Sequence, residues 1–234
     1  MSKLILENRV AARYIGASEE ITELYISSEV DMFSEEFSQQ LYHQMKNLRK
    51  VVVDKKNKVF SSQNGVLYDI HKTKLLFYPR AKNLHSFIMP SSVEKIEENA
   101  FSDGKYFSKK LEDVILSPRL TQIPDFCFEN MDVYSVSISE GVTSIGKKAF
   151  FNTNIVCPTL PATLRHLSTT AFHNCEKMHI LNLKDDKFHL TESMLPKNNN
   201  LIVVIETIDE IEKSNYQGIN IMNMVEFDKW IEEL

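Results

Sequence analysis

The sequence predicts an α+β repeat fold: a right-handed solenoid with short parallel strands on one face, a β-hairpin inserted between two coils, and a C-terminal cap. Three observations predict it. A phenylalanine-closed unit recurs at VEKIEENAF (93–101), LTQIPDFCF (120–128), VTSIGKKAF (142–150) and LRHLSTTAF (164–172). Ahead of these units, apolar residues fall at relative positions 0, 3 and 5, and the last two of each set share one face of a strand. Finally, the runs GVLYDI and KLLFYP flank a polar His-Lys-Thr turn within 59–79; such a ribbon is marginal alone and needs something to pack on.

In chain order, ITELYI (21–26) supplies Ile21, Leu24 and Ile26. SEEFSQQLYHQMKNL then places Phe37, Leu41 and Met45 four apart, the spacing of one helical face, with Ser34 and Glu36 as start signals. LRKVVV (48–53) returns to the strand pattern with Leu48, Val51 and Val53, so this stretch reads as an enlarged repeat whose convex side is a helix. The later strands carry Leu84, Phe87 and Met89; Leu111, Val114 and Leu116; Val133, Val136 and Ile138; Ile155 and Leu160 around Pro158; and Met178, Leu181 and Leu183. That makes about seven repeats by strands, and the spacings of 27, 22 and 22 residues between Phe101, Phe128, Phe150 and Phe172 fall in the leucine-rich-repeat range. After Leu183 the signature stops: LIVVIET reads as a strand and VEFDKWIEEL as a short amphipathic helix. Residues 1–185 are expected to form the solenoid with its N-terminal cap and the 59–79 insertion. Residues 186–234 are expected to cap it within the same domain, because a last coil must turn a polar side to water. A partner-binding tail anchored by Trp230, the single Trp, is the alternative.

Composition narrows the function classes. With 43% apolar and 25% charged residues over 234 positions, the chain can bury a sizeable core. A net charge of −5 leaves no basic surplus for phosphate backbones, so nucleic acid is not an expected partner. No apolar run approaches the roughly 20 residues of a membrane helix, and LIVVI at 201–205 is strand-length, so membrane insertion is not expected. The start, MSKLILENRVAARYIG, has no continuous apolar stretch of the kind a secretion signal carries, and Cys127, Cys157 and Cys175 form no C-x-x-C pair. The expected location is cytoplasmic as written, or extracellular or cell-surface if a leader has been removed.

Chemistry finds little purchase. His166, His173, Cys175 and His179 lie close in sequence, but zinc sites need compact paired spacing that they do not reproduce. Asp185-Asp186, Glu97-Glu98 and Glu232-Glu233 are adjacent pairs, which suit solvation better than acid–base work across a cleft. The six glycines are scattered and build no phosphate loop. No catalytic residue, metal ligand or cofactor is expected.

The copies SVSISEGVTSIGKKAF (135–150), IMPSSVEKIEENAF (88–101) and LRHLSTTAFHNC (164–175) resemble the BspA-type leucine-rich repeats, whose consensus is roughly L-x-x-I-x-I-P-x-x-V-x-x-I-x-x-x-A-F-x-x-C, over about residues 20–185. VDKKNKVFSSQNGVLYDIHKTKLLFYP (53–79) is similar to a stretch found in such arrays. That likeness makes Asn64-Gly65 a lead-in, Gly65 the start of a strand, and His71-Lys72-Thr73 the hairpin turn. Val66, Tyr68, Leu76 and Tyr78 would then pack on neighbouring coils between Val53 and Leu84. Cys127 in place of Ala and Pro158 in place of an inward strand residue depart from the pattern, and only Cys175 keeps the trailing Cys. The resemblance implies a leucine-rich-repeat solenoid that recognises another protein, as in bacterial and protist surface and adhesin-like proteins. An intracellular scaffold or regulatory subunit is the second reading, and an enzyme built on 186–234 the third.

If positions 3 and 5 point inward, positions 2 and 4 form the outer strand face. The expected partner-binding residues are Tyr25, Lys50, Val52, Ser86, Ile88, Asp113, Ile115, Ser135, Ser137, Thr159, Ile180 and Asn182. Their mix of aliphatics, hydroxyls and a few charges suits a protein partner. The chain itself is expected to be a monomer or a weak homo-oligomer.

Overall fold

The computed structural model describes residues 2–8, 20–102, 111–185, 188–197, 200–206 and 219–233. Each coil contributes a strand to a first parallel sheet series, and the central coils add a short strand to a second. The first series opens with β1 (Ser2–Leu6), β2 (Ile21–Ile26) and β3 (Lys50–Val53), paired in parallel. Beyond an interruption come three antiparallel-linked strands, β4 (Phe60–Gln63), β5 (Val66–Asp69) and β6 (Lys74–Phe77), before the series resumes with β7 (Ser86–Ile88).

From there the two series alternate along the chain. The second consists of β8 (Lys95–Ile96), β10 (Gln122–Ile123), β12 (Ser144–Ile145) and β14 (His166–Leu167). The first continues as β9 (Leu111–Ile115), β11 (Val133–Ser137), β13 (Thr159–Leu160), β15 (Ile180–Leu183), β16 (Ile202–Ile205) and β17 (Asn220–Asn223). Parallel neighbours at this spacing are what a solenoid requires. The second series breaks between β8 and β10, and the first breaks again between β11 and β13. Val156 N donates to Tyr134 O at 3.1 Å, but two residues on stands Pro158, which has no N–H to give.

The enlarged repeat carries α1 (Glu35–Gln44), whose N-cap Ser34 accepts from Phe37 N at 3.1 Å. Phe37, Leu41 and Met45 are all buried, as their spacing predicts. In later coils the side behind the sheets is built differently. Tyr78, Phe101, Phe128, Phe150 and Phe172 form one column of rings with centroids 4.8 to 5.2 Å apart. Beside it Ala100, Cys127, Ala149 and Ala171 are buried, and Phe128 N reaches Ala149 O at 2.8 Å and Phe150 N reaches Ala171 O at 2.9 Å. A small side chain lets successive turns approach that closely, and Cys127 fills the place as a small apolar group. Asn130, Asn152 and Asn174 take left-handed φ of 58, 55 and 61° two residues past Phe128, Phe150 and Phe172, a conformation Asn tolerates well. Asn152 Nδ2 also donates to Asn130 Oδ1 at 2.8 Å, tying one turn to the next.

Two expectations need correction. Asn64-Gly65 is not a lead-in: Gln63 pairs with Val66, so the dipeptide is a two-residue hairpin turn with φ of 53 and 78°, the combination a type I′ turn demands. The 59–79 segment is therefore a three-strand meander with two turns, of which His71-Lys72-Thr73 is the second. Leu84, placed inward by the repeat pattern, is 39% exposed; it lies in the link between meander and solenoid, where the regular coil has not yet resumed.

The meander is also more than an ornament. Strand β6 pairs in parallel with β8, Leu75 opposite Ile96, and so heads the second sheet series. Both of its faces are buried. Val66, Tyr68, Leu75 and Tyr78 face one core, while Phe60, Leu67, Leu76 and Phe77 face another. It forms a partition through the molecule, which explains the nearly continuous apolar runs VLY and LLFY.

Asn57 anchors the partition to the first coils. It is buried, its Nδ2 donates to the carbonyls of Ser27 (2.7 Å) and Val30 (2.8 Å), and its Oδ1 accepts from Val59 N (2.9 Å) and Phe60 N (2.8 Å). Every hydrogen-bonding position of that amide is used.

Candidate functional site: the strand face

The outward residues of the first series lie in rows because the strands stack in register. Lys3, Glu23 and Lys50 form one row and Ile5, Tyr25 and Val52 the next. Lys50 Nζ meets Glu23 Oε2 at 2.8 Å, and the Tyr25 hydroxyl donates to Asp54 Oδ2 at 2.6 Å. That hydrogen bond is the main reason the Asp54 carboxyl sits below its usual range and the Tyr25 phenol above its own. Tyr25 is thereby held in one orientation from within the chain.

The face is then interrupted. Val51 N donates to Gly65 O at 2.9 Å, so the tip of the first meander turn sits against β3 where a next parallel strand would lie. A Cβ on Gly65 would stand 2.7 Å from the Lys50 Cβ. A shallow hollow of about 320 Å³ opens here, with Arg49, Lys50, Lys82 and the exposed Leu84 among its walls.

Beyond it the central rows are Ser86, Asp113 and Ser135, and Ile88, Ile115 and Ser137. Ile88 and Ile115 stand directly opposite each other, 69% and 45% exposed, while Phe87 and Val114 beside them are buried. In the last part of the face, Asn182 Nδ2 donates to Thr159 Oγ1 at 3.3 Å, and Ile180 lies half-buried opposite Ile202. Strand β16 is buried along its whole length, and helix α2 (Met224–Glu232) lies beside β16 and β17. The open face thus ends at β15.

The twelve sequence-derived residues therefore fall into three groups rather than one strip. Tyr25, Lys50 and Val52 lie before the interruption, the six residues from Ser86 to Ser137 form the continuous centre, and Thr159, Ile180 and Asn182 follow the proline break. Sequence reasoning missed the interruption itself, whose signal was the Asn-Gly pair. It also passed over the Asn57 and Asp54 anchors, whose signal was the V-D-x-x-N-x-x-F stretch.

Elsewhere, two of the three thiols are withdrawn from solvent, and Cys157 is exposed. Cys175 is buried with Sγ 2.9 Å from Phe150 O, and burial pushes its thiol up to about 11; burial raises Cys127 as well. Thiols so poised are structural, not nucleophilic. Among the described residues no helix is long and apolar enough to cross a membrane.

A model of the BspA type leucine rich repeat region matches residues 17–107 and 103–222, in six copies. The match runs past Leu183, as do the paired strands β16 and β17. No curated protein matches the chain. Among solved structures, the pneumococcal vaccine antigen PcpA superposes with a TM-score of 0.69 at 19% identity, over 87% of this chain and 56% of that one. A leucine rich cell surface protein of Faecalibacterium prausnitzii gives a TM-score of 0.52 at 18% identity, over 81% of this chain and 45% of the other. Both likenesses show the fold, and the chain spans about half the length of each. With the repeats in phase in the sequence, stacked in the structure and matched from residue 17 to 222, the chain belongs to the BspA-type leucine-rich repeat family.

Proposed function

We propose that the solenoid is a non-catalytic interaction module that binds a protein partner through the centre of its strand face. The observation that carries this reading is the Ile88–Ile115 pair: two large aliphatic side chains side by side in register, both exposed, on a sheet whose inner face is fully packed. Exposed apolar groups rimmed by Ser86, Asp113, Ser135 and Ser137 match the make-up of a protein-binding patch, an apolar centre with a polar margin. The relatives named as a vaccine antigen and a cell surface protein support a place outside the cell, where the partner would be a host or neighbouring protein.

The test is affinity capture with the wild-type chain and with Ile88→Asp, Ile115→Asp, from both cell lysate and surroundings. Both positions are on the solvent side, so the double variant is expected to fold, as circular dichroism will show. A partner retained by the wild type and lost by the variant supports the reading; equal retention places the binding surface elsewhere.

A further inference from the structure

The two ends of the second sheet series are finished differently. At the N-terminal end β6 pairs onto β8 and completes it. At the other end, β14 pairs with β12 on one side and with nothing on the other among the described residues.

The repeat shows what is missing. Thr143 N donates to Thr121 O at 2.9 Å, and Arg165 N to Thr143 O at 2.8 Å; Gly146 N donates to Ile123 O at 2.9 Å, and Ser168 N to Ile145 O at 3.0 Å. One coil further, the acceptors in line are the carbonyls of Arg165 and Leu167, and among the described residues no N–H reaches either. Leu190, the counterpart of Ser168 after another 22 residues, donates to Phe188 O at 2.9 Å instead.

The chain turns away there and leaves a cavity of about 670 Å³ along β14, floored by Leu164, Leu167, Phe188 and Met194. On its rim Arg165 Nη1 is held by Asp185 Oδ2 at 3.3 Å. Its volume lies within the range of sites that bury a ligand.

We propose that this open edge is a strand-addition site for an extended peptide segment of a partner protein. The peptide's N–H groups complete the Arg165 and Leu167 carbonyls, and its aliphatic side chains continue the rows Leu120–Val142–Leu164 and Ile123–Ile145–Leu167. Open strand edges accept extended chains in this way, with the backbone supplying affinity and alternate side chains supplying specificity. The preceding coils define the occupant: an aliphatic-x-x-aliphatic segment in extended form. The site lies on a different sheet from Ile88 and Ile115, and stands or falls independently of the strand-face reading.

The probe is a fluorescent peptide EGVTSIGKK, a copy of residues 140–148, the chain's own segment that fills such an edge. Saturable binding is expected by fluorescence anisotropy, with amide shifts at His166 and Ser168, the groups that follow the two carbonyls. N-methylation at the Thr143 and Gly146 positions removes both donors and should weaken binding by about tenfold or more, taking roughly 1 kcal/mol for each bond. Thr169→Trp on the exposed rim should block the edge without touching the core, and Ile88→Asp, Ile115→Asp should leave binding unchanged. The proposal is overturned if no saturable binding is seen, if the N-methylated peptide binds as well, or if the shifts fall on the strand face. Self-association of the chain that Thr169→Trp abolishes also overturns it, because the occupant is then a second copy.

Discussion

The meander separates two cores that close the same kind of coil by different means. On the N-terminal side, helix α1 and its C-cap supply Phe37, Leu41 and Met45 to a small core with Leu24, Ile26, Leu48 and Val51. On the C-terminal side a column of aromatic rings runs from Tyr78 to Phe172, and between those two residues no helix intervenes among the described residues. A helix is a local solution, because its own hydrogen bonds and its Ser34 cap hold the apolar face together. The ring column is a collective one, since each ring is useful only if the next coil places another about 5 Å away. Stability on that side should be shared between neighbouring coils, as in other stacked repeats.

Removing one unit from each core is the most severe way to break the comparison. Phe150 is fully buried between Phe128 and Phe172, stacked nearly parallel to both at 6 and 4°. Phe150→Ala should cost about 3–5 kcal/mol in urea unfolding, with raised hydrogen exchange in the coils on both sides. Phe37→Ala should cost a similar amount, but the exchange should rise only from β2 to β3. Loss confined to one coil in Phe150→Ala would remove the collective account.

The anchor between partition and first coils comes next. Asn57→Ala removes a partner from the carbonyls of Ser27 and Val30 and from the N–H groups of Val59 and Phe60, and should cost about 3 kcal/mol, the upper end for unsatisfied buried groups. The exchange should rise in β2 and β4 and leave the ring column protected. Gly65→Ala follows at about 2 kcal/mol, because an L residue in the left-handed region costs about 1–2 kcal/mol before the approach to Lys50 is counted. Gly65→Asn, which tolerates that φ better, should lose more than it would in an open turn, because the Lys50 Cβ still stands in the way.

The regular side was far more legible in the sequence than the partition. Phe101, Phe128, Phe150 and Phe172 announce their own period, and the four-residue spacing of Phe37, Leu41 and Met45 announces α1, because both patterns repeat one physical environment. The partition has no period to reveal it. Its strands are buried on both faces, so alternation vanishes, and the family likeness overrode the plain turn chemistry of Asn64-Gly65. The strand face was placed residue by residue, yet its division into three groups depends on Gly65 lying beside Lys50 and on Pro158 withholding a donor. Among the described residues the second series ends at β14, and the sequence marks this only by the loss of the Phe-closed unit after Phe172, which does not show where the chain goes instead.

A milder perturbation separates the two cores by acid alone. Asp54 accepts from the Tyr25 hydroxyl at 2.6 Å and from Lys56 N at 2.8 Å, both favouring the charged carboxylate, so its folded pKa lies below the ordinary 3.8. A group with a depressed folded pKa contributes stability that is complete above its unfolded value and is lost as pH falls through the folded one. The contribution is therefore intact at neutral pH and fades below about pH 4, and it belongs to the N-terminal coils alone. Between pH 5 and pH 3, hydrogen exchange in β2 and β3 should rise more than in β9 and β11. Tyr25→Phe removes the largest cause of the depression and should narrow that difference. An unchanged difference in the variant would assign the acid sensitivity to some other carboxylate and leave the Tyr25–Asp54 bond without a stabilising role.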